Sequence, residues 1–287
     1  MAWVSADAPV VLVGPLSGPR SAHAPLLHFA ARRLTSLGMP FLLMDDEARP
    51  EVAHALALRL VHREVAAVIG HFNSACAEAV LPVYRAHGLS LLLPTASHDG
   101  LTAGGGFRLC ARDSQQAELM LRVLKRRGIN ASETELVTDG SPYSERLLAA
   151  LAAASGGLTL SRVPPEATPA RHCRLRIVLA TCHGALDIAQ RLRNWHGLSL
   201  FADDSHVEAF AREAPSSRTL VVGPVPDYQH LIAQACDLVA QARAANASCL
   251  DDWLTACSFF DVDGNSSTAC WRVHALRSDA TWCPTDD

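Results

Sequence analysis

The stretch Met39-Pro40-Phe41-Leu42-Leu43-Met44-Asp45-Asp46 is short, almost wholly apolar and stopped by two acids. It has the pattern of a parallel strand covered by helices on both faces. Two further runs repeat it. Ala66-Ala67-Val68-Ile69-Gly70 leads into His71-Phe72-Asn73-Ser74 and a helical pattern through Tyr84, and Leu89-Ser90-Leu91-Leu92-Leu93 ends at Pro94-Thr95-Ala96-Ser97. The carboxyl ends of strands in an open parallel sheet border the crevice where ligands sit, so the hydroxyl-bearing turns 71–74 and 94–97 are expected to face one site.

Outward from this stretch the same alternation continues. Upstream, Val10-Val11-Leu12-Val13 reads as a strand, Gly14-Pro15-Leu16-Ser17-Gly18-Pro19 as a turn, and about 22–37 as a helix closed by Gly38. A second helix runs from Pro50 to His62, with proline where its missing donor costs nothing. Four strand-helix alternations define a doubly wound sheet. The turn lacks the G-x-G-x-x-G spacing and a following Gly-Lys-Ser, so no dinucleotide or nucleotide phosphate loop is supported.

Downstream, Gly104-Gly105-Gly106 precedes Phe107-Arg108-Leu109, and a helix runs to Arg127. A second set of alternations follows: strand 135–138, loop 139–144, helix 145–154, segment 158–163, strand 174–180 with Thr181-Cys182-His183-Gly184 at its exit, strand 198–201 followed by Ala202-Asp203-Asp204-Ser205, and strand 219–222. Two α/β units imply two lobes and a cleft. After a helix at 228–243, Phe259-Phe260 and 271–276 are expected to flank a hairpin turn at Asp261-Val262-Asp263-Gly264-Asn265. That turn is calcium-loop-like in composition, but the twelfth position is Arg272, which excludes an EF-hand loop.

The chain of 287 residues has room for two cores, and a net charge of -4 with dispersed basic residues gives no reason to expect nucleic acid. No apolar run reaches the length of a membrane span. Met1 to Pro9 is too short for a secretory leader, which leaves a leader removed from the mature chain or a cytoplasmic protein. Of nine cysteines, Cys236, Cys249, Cys257, Cys270 and Cys283 fall in the last fifth, where oxidation would staple a terminal region. Acceptor sequons begin at Asn130, Asn246 and Asn265 and matter only in a glycosylating compartment.

Taken in order, Gly14 to Gly18, Asp45-Asp46, Val68 to His71, Pro94 to Ser97 with Leu101-Thr102, Asp139 to Ser144, Phe259 to Gly264 and Trp271 to His274 resemble the landmarks of the type I periplasmic solute-binding proteins. The resemblance is to their branched-chain amino acid (Leu/Ile/Val) binding branch, the solute-binding components of ABC importers, in a shortened variant. About three dozen residues separate Pro224 from Phe260, fewer than is usual near this branch. The resemblance implies a periplasmic-binding-protein type I fold: two doubly wound parallel-sheet lobes joined by three crossovers. The first lobe would take residues 10–109 plus 224–258, and the second 110–223 plus 259–287.

The resemblance also implies non-enzymatic capture of a small amino acid, or a related amide or carboxylate, with no cofactor and with an ABC permease as partner. Ser74 and Ser97 match positions that grip an α-carboxylate, and Thr95 matches a backbone contact. Ser74 also starts a helix whose free N–H groups favour an anion, although Asn73 or Ser74 can equally serve as a plain helix cap. Phe72 and His71 are placed to wall the ligand side chain. Asp204 matches the acid that meets the ammonium group, with Asp203 one register step away, and Tyr143 matches an aromatic that closes over the ligand. Where leucine-specific members carry a Tyr-rich segment, this chain has Cys182 and His183, which points to a smaller or more polar ligand.

The alternatives are a cytoplasmic ligand-sensing regulator of the same fold and an enzyme or metal site around His172, Cys173, Cys182 and His183. The last is disfavoured because the two Cys-His pairs sit at opposite ends of one expected strand.

Overall fold

The computed structural model describes residues 7–215 and 218–287. The chain divides into two compact units, one running to Ala111 and resuming over Val225–Cys270, the other comprising Arg112–Pro224 and Trp271–Asp287.

In the first unit the chain alternates β1 (Val10–Gly14), α1 (Ala24–Ser36), β2 (Phe41–Asp45), α2 (Pro50–Leu60), β3 (Ala67–Gly70), α3 (Ser74–Ala86), β4 (Leu91–Leu93) and β5 (Phe107–Arg108). All pair in parallel, in the order β2-β1-β3-β4-β5. The twofold periodicity of a strand sorts the apolar side chains between two faces. Val10, Leu12, Ala67 and Ile69 pack in a cluster with Leu27 and Leu34 of α1, while Val11, Val13, Val68 and Leu93 pack with Leu56 of α2 and Val80 of α3. This is why the central strands read as unbroken apolar runs.

The run at 41–44 behaves differently from its reading as a strand covered on both faces. β2 lies at the sheet edge, paired with β1 alone, and its side chains are at best half-buried, with Leu42 36% exposed. An apolar run states that a segment is a strand; its position in the sheet depends on which partner edges remain open.

The second unit contains α4 (Asp113–Arg126), β6 (Thr134–Thr138), α5 (Pro142–Ala154), β7 (Ser161–Val163), β8 (Leu175–Leu179), α6 (Cys182–Arg191), β9 (Leu198–Phe201), α7 (Glu208–Glu213) and β10 (Thr219–Val225). The chain then returns to the first unit as α8 (Tyr228–Ala244) and α9 (Leu250–Ala256), and ends in the second as β11 (Cys270–Leu276) and β12 (Trp282–Pro284). Its sheet runs β12-β11-β10-β9-β8-β6-β7, parallel from β10 to β7 and closed by the antiparallel β11–β12 pair. Helix α8 packs Leu231, Ile232, Ala235 and Val239 into the α1 face of the first core.

Two further readings change. The turn at 261–264 joins only the single bridge Phe260↔Ser266, and the strand beginning at Cys270 pairs instead with β12. Residues 259–270 accordingly stay with the first unit rather than opening the second. Arg108 is the reason: its N–H donates to the Gly264 carbonyl, its carbonyl accepts from Ser266, and its guanidinium donates to the Asn265 side chain. Phe260 also sits in the first core, edge-on to Phe107 at 5.2 Å. The nine cysteines are all free thiols, so the clustering toward the carboxyl terminus makes no staple here.

Candidate functional site

Both units carry a set of polar side chains at the carboxyl ends of their parallel strands. In the first unit Gly70 ends β3 with φ +141°, and a Cβ there would lie 2.0 Å from the Val13 carbonyl oxygen. Only glycine lets the chain leave the sheet at this point. His71 then turns inward, not toward a ligand. It is fully buried, with Nδ1 2.8 Å from Asp46 Oδ2 and Nε2 3.2 Å from the Tyr84 hydroxyl. It ties the exits of β2 and β3 to α3 and does not form a wall, whereas Phe72 is half-buried against the core. Burial against the hydroxyl, with Asp46 nearby, pushes the Tyr84 phenol well above its ordinary value.

The two roles weighed for Asn73 and Ser74 are divided between them. The Asn73 side chain caps α3 by accepting the Ala75 N–H at 2.8 Å, and the Ser74 hydroxyl accepts the His98 N–H at 3.3 Å. Thr95 donates its hydroxyl to the Phe72 carbonyl at 3.1 Å. The turns 71–74 and 94–98 are thus stitched together twice. Arg108, fully buried on β5, fixes the second turn from below by donating to the carbonyls of Ser97 and His98. Ser97 itself is buried. At the β2 exit burial acts upward on Asp45, but bonds from the Ser17 hydroxyl and the N–H groups of Glu47 and Leu16 outweigh it and hold the carboxyl below its usual range.

In the second unit Asp139 follows β6 and accepts four bonds: from the N–H and hydroxyl of Ser141 at 3.0 and 2.6 Å, and from the N–H and hydroxyl of Thr181, both at 2.8 Å. Burial raises its pKa, yet these donors win and keep it low. Ser141 in turn caps α5 through the Ser144 N–H. Tyr143 on that helix is half-buried and donates its hydroxyl to Asp203 Oδ1 at 2.6 Å; burial first, then the nearby Asp203 and Asp204 charges, push its pKa far up.

Asp203 and Asp204 are both buried just past β9. Asp203 is oriented by Gln116 of α4, which donates its amide at 2.8 Å and accepts the Asp203 N–H at 3.2 Å. Asp204 Oδ2 accepts the Cys182 N–H at 2.8 Å, which places a carboxylate at the amino end of α6, where the helix dipole favours it. Cys182 is buried and His183 exposed. Cys173 precedes β8 while Cys182 follows it, a five-residue strand that separates them by about 16 Å.

The structure therefore brings Phe72, Ser74, Thr95 and Ser97 together in one unit, and Tyr143, Cys182 and Asp204 with Asp203 in the other. Gln116 and Arg108, which hold the two sets, escaped the sequence reading. A glutamine one turn into a helix carries no local signal, and the arginine is recognisable only as a charge inside an otherwise apolar β5.

Residues 41–171 match the periplasmic binding protein family. The Leu/Ile/Val-binding protein homolog 3 of Brucella melitensis and the Leu/Ile/Val-binding protein BraC3 of Rhizobium johnstonii are each 29% identical over 170 residues, 54% of this chain. The match spans 46% of each relative, about half its length. Among solved structures, the branched-chain amino acid transporter substrate binding protein LivJ of Streptococcus pneumoniae, in complex with isoleucine, superposes with a TM-score of 0.81 at 16% identity, over 96% of this chain and 97% of its own. The leucine binding protein LivK of Thermotoga maritima gives 0.80 at 15%, over 97% of both chains. The fold expected from the order of the strand exits, that of the type I periplasmic solute-binding proteins, is the fold found, and over residues 41–171 the chain is similar to the periplasmic binding protein family.

Proposed function

We propose that this chain captures a small amino acid, or a related amide or carboxylate, without chemistry on it, as the periplasmic solute-binding component of an ABC importer that passes its cargo to a membrane permease. The observation that carries this reading is the pair of adjacent buried carboxylates after β9, fixed by neutral donors. An ammonium group taken out of water needs a charged or strongly accepting partner, and two adjacent buried carboxylates are groups of that kind. In this reading Asp203 takes the role, and Asp204, the residue that the resemblance matches to it, supports it from the amino end of α6. In the first unit Ser74, Thr95 and Ser97 sit at the exits of β3 and β4, beside the amino end of α3, where an α-carboxylate finds hydroxyl and N–H donors. Tyr143 and Phe72 supply aromatic surface. Cys182 and the exposed His183 leave the ligand side chain less aromatic cover, which favours a small or polar one.

The names of the relatives and fold neighbours, Leu/Ile/Val-binding and leucine-binding proteins, support an amino-acid cargo. The test is calorimetry on protein unfolded and refolded to strip bound ligand, across the common amino acids, their amides and short carboxylates. The expected result is a micromolar or tighter hit that is lost in Asp203→Asn and weakened in Asp204→Ala. A flat panel on well-folded protein would overturn the amino-acid reading.

A further inference from the structure

The second unit has a cavity at the end of its sheet away from the strand exits. It lies where Cys173 and Arg174 lead into β8, Gly197 into β9 and Arg218 into β10, and its volume is ≈ 520 Å³, within the range of small-molecule pockets. One wall is the half-buried indole of Trp195. That ring is held from two sides. A Cβ on Gly197 would lie 2.1 Å from Trp195 Cζ2, so the indole rests on bare backbone that no other residue would leave open, and the guanidinium of buried Arg176 lies 6.0 Å from the ring centroid. Ile129 and Cys173 give the cavity a buried apolar floor.

The rim is cationic. Arg171, Arg174 and Arg218 line it together with His196, and no acidic residue does. Arg174 is matched by Glu133 at 3.3 Å, and Arg176 behind the wall by Glu135 at 2.7 Å. Arg171 and Arg218 are exposed, and their guanidiniums have no ion-pair or hydrogen-bond partner among the described residues. In a chain of net charge -4, two unmatched guanidiniums over an apolar, indole-walled pocket are a local inversion of charge.

We infer that this cavity binds a small organic anion built on a planar ring, the ring against Trp195 and the apolar floor, and the phosphate or carboxylate held at the Arg171 and Arg218 rim. Guanidinium forks match such oxyanions in two-pronged geometry, and ring-on-indole contact adds attraction beyond buried area. β8 separates this cavity from the strand exits, so binding here needs no contact with a ligand there.

Phenyl phosphate is the probe, with inorganic phosphate and phenol as its two halves, followed through the Trp195 indole N–H resonance in the full chain and by calorimetry. The expected result is saturable binding of phenyl phosphate at least about tenfold tighter than either half, lowered about tenfold or more in Arg171→Gln/Arg218→Gln. Neither arginine supports the fold, so the variant's amide spectrum should match the parent's. Benzoate bound in the same way would show that carboxylates are accepted. No movement of the Trp195 resonance, equal binding of inorganic phosphate, or undiminished binding in the double variant would each overturn the proposal. None of these readouts depends on an amino-acid ligand.

Discussion

The two units repeat one architecture and place charge in it differently. In the first, the central strands β1, β3 and β4 are wholly apolar, and buried charge lies past a strand end, where Asp46 meets His71, and on the edge strand β5, where Arg108 holds the next turn by its carbonyls. In the second, charge enters the interior of the sheet as a pair. Glu135 of β6 and Arg176 of β8 are register neighbours, 6% and 1% exposed, joined Nε to Oε2 at 2.8 Å, with Glu135 also accepting the Ala170 N–H. The exits of β3 and β4 in the first unit present hydroxyl and N–H donors, whereas the exits of β6 and β9 in the second carry three carboxylates. A parallel sheet fixes where polar side chains converge but not their sign.

The largest effect should come from breaking the pair inside the second sheet. Burial acts upward on Glu135, and the Ala170 N–H and Arg176 hold it ionised. Arg176→Met would leave that carboxylate buried without its cation, at about 3–5 kcal/mol of stability, whereas Arg176→Met with Glu135→Leu should recover most of the loss. Urea unfolding of the three proteins decides it. If the single variant costs no more than the double, the pair is not the strut of the second sheet and the contrast between units weakens. Next in size is the acid at the β9 exit. Asp203→Asn keeps the bonding shape to Tyr143 and Gln116 but removes the charge, and should weaken amino-acid binding by about 2–3 kcal/mol with little change in the unfolding midpoint. Loss of folding without a specific loss of affinity would move Asp203 from ligand contact to scaffold.

A third test uses pH. Asp139 is held below its ordinary pKa by the donors of Ser141 and Thr181 against the pull of burial. A depressed folded pKa means that the unfolded chain takes up protons first, so the stability contributed by Asp139 is complete above the usual carboxylate range of about 4 and is lost as pH falls through the lower folded value. Asp139→Asn should cost about 1–2 kcal/mol at neutral pH and reduce the acid slope of unfolding free energy between about pH 5 and 3. An unchanged slope would show that the acid sensitivity resides in other carboxylates, with Asp45 the nearest equivalent in the first unit.

How much of this was legible follows from how local each cause is. Strand and helix order could be read because Val10 to Val13, Ala66 to Ile69 and Leu91 to Leu93 are continuous apolar runs closed by turn residues, and the exit turns follow from where those runs stop. The edge position of β2 was not legible, since Phe41 to Met44 has the same composition as a central strand. Nor was the home of 259–270. That segment is fixed by Arg108, which bonds to Asn265 157 residues further along the chain. Within the site the residue types were visible and their division of labour was not. Which of Asp203 and Asp204 caps a helix depends on where α6 begins, and whether His71 faces in or out depends on Asp46 and Tyr84 lying behind it.

The smallest effects discriminate most finely, because they separate two neighbours in one turn. Asn73 spends its side chain on the α3 cap, and Ser74 offers its hydroxyl to the His98 N–H at the adjoining turn, at the edge where the carboxylate is proposed to lie. Asn73→Ala should therefore cost about 1 kcal/mol of stability and leave affinity within a few tenths. Ser74→Ala should reverse the pattern, lowering affinity by about 1 kcal/mol, roughly fivefold, with stability nearly unchanged. Unfolding and calorimetry on both variants give four numbers, and their crossing is the result that matters. If both variants lose stability and neither loses affinity, the first unit's donor turn is only a helix start. The contrast of donors against carboxylates would then describe two ways of ending a strand and nothing about a ligand.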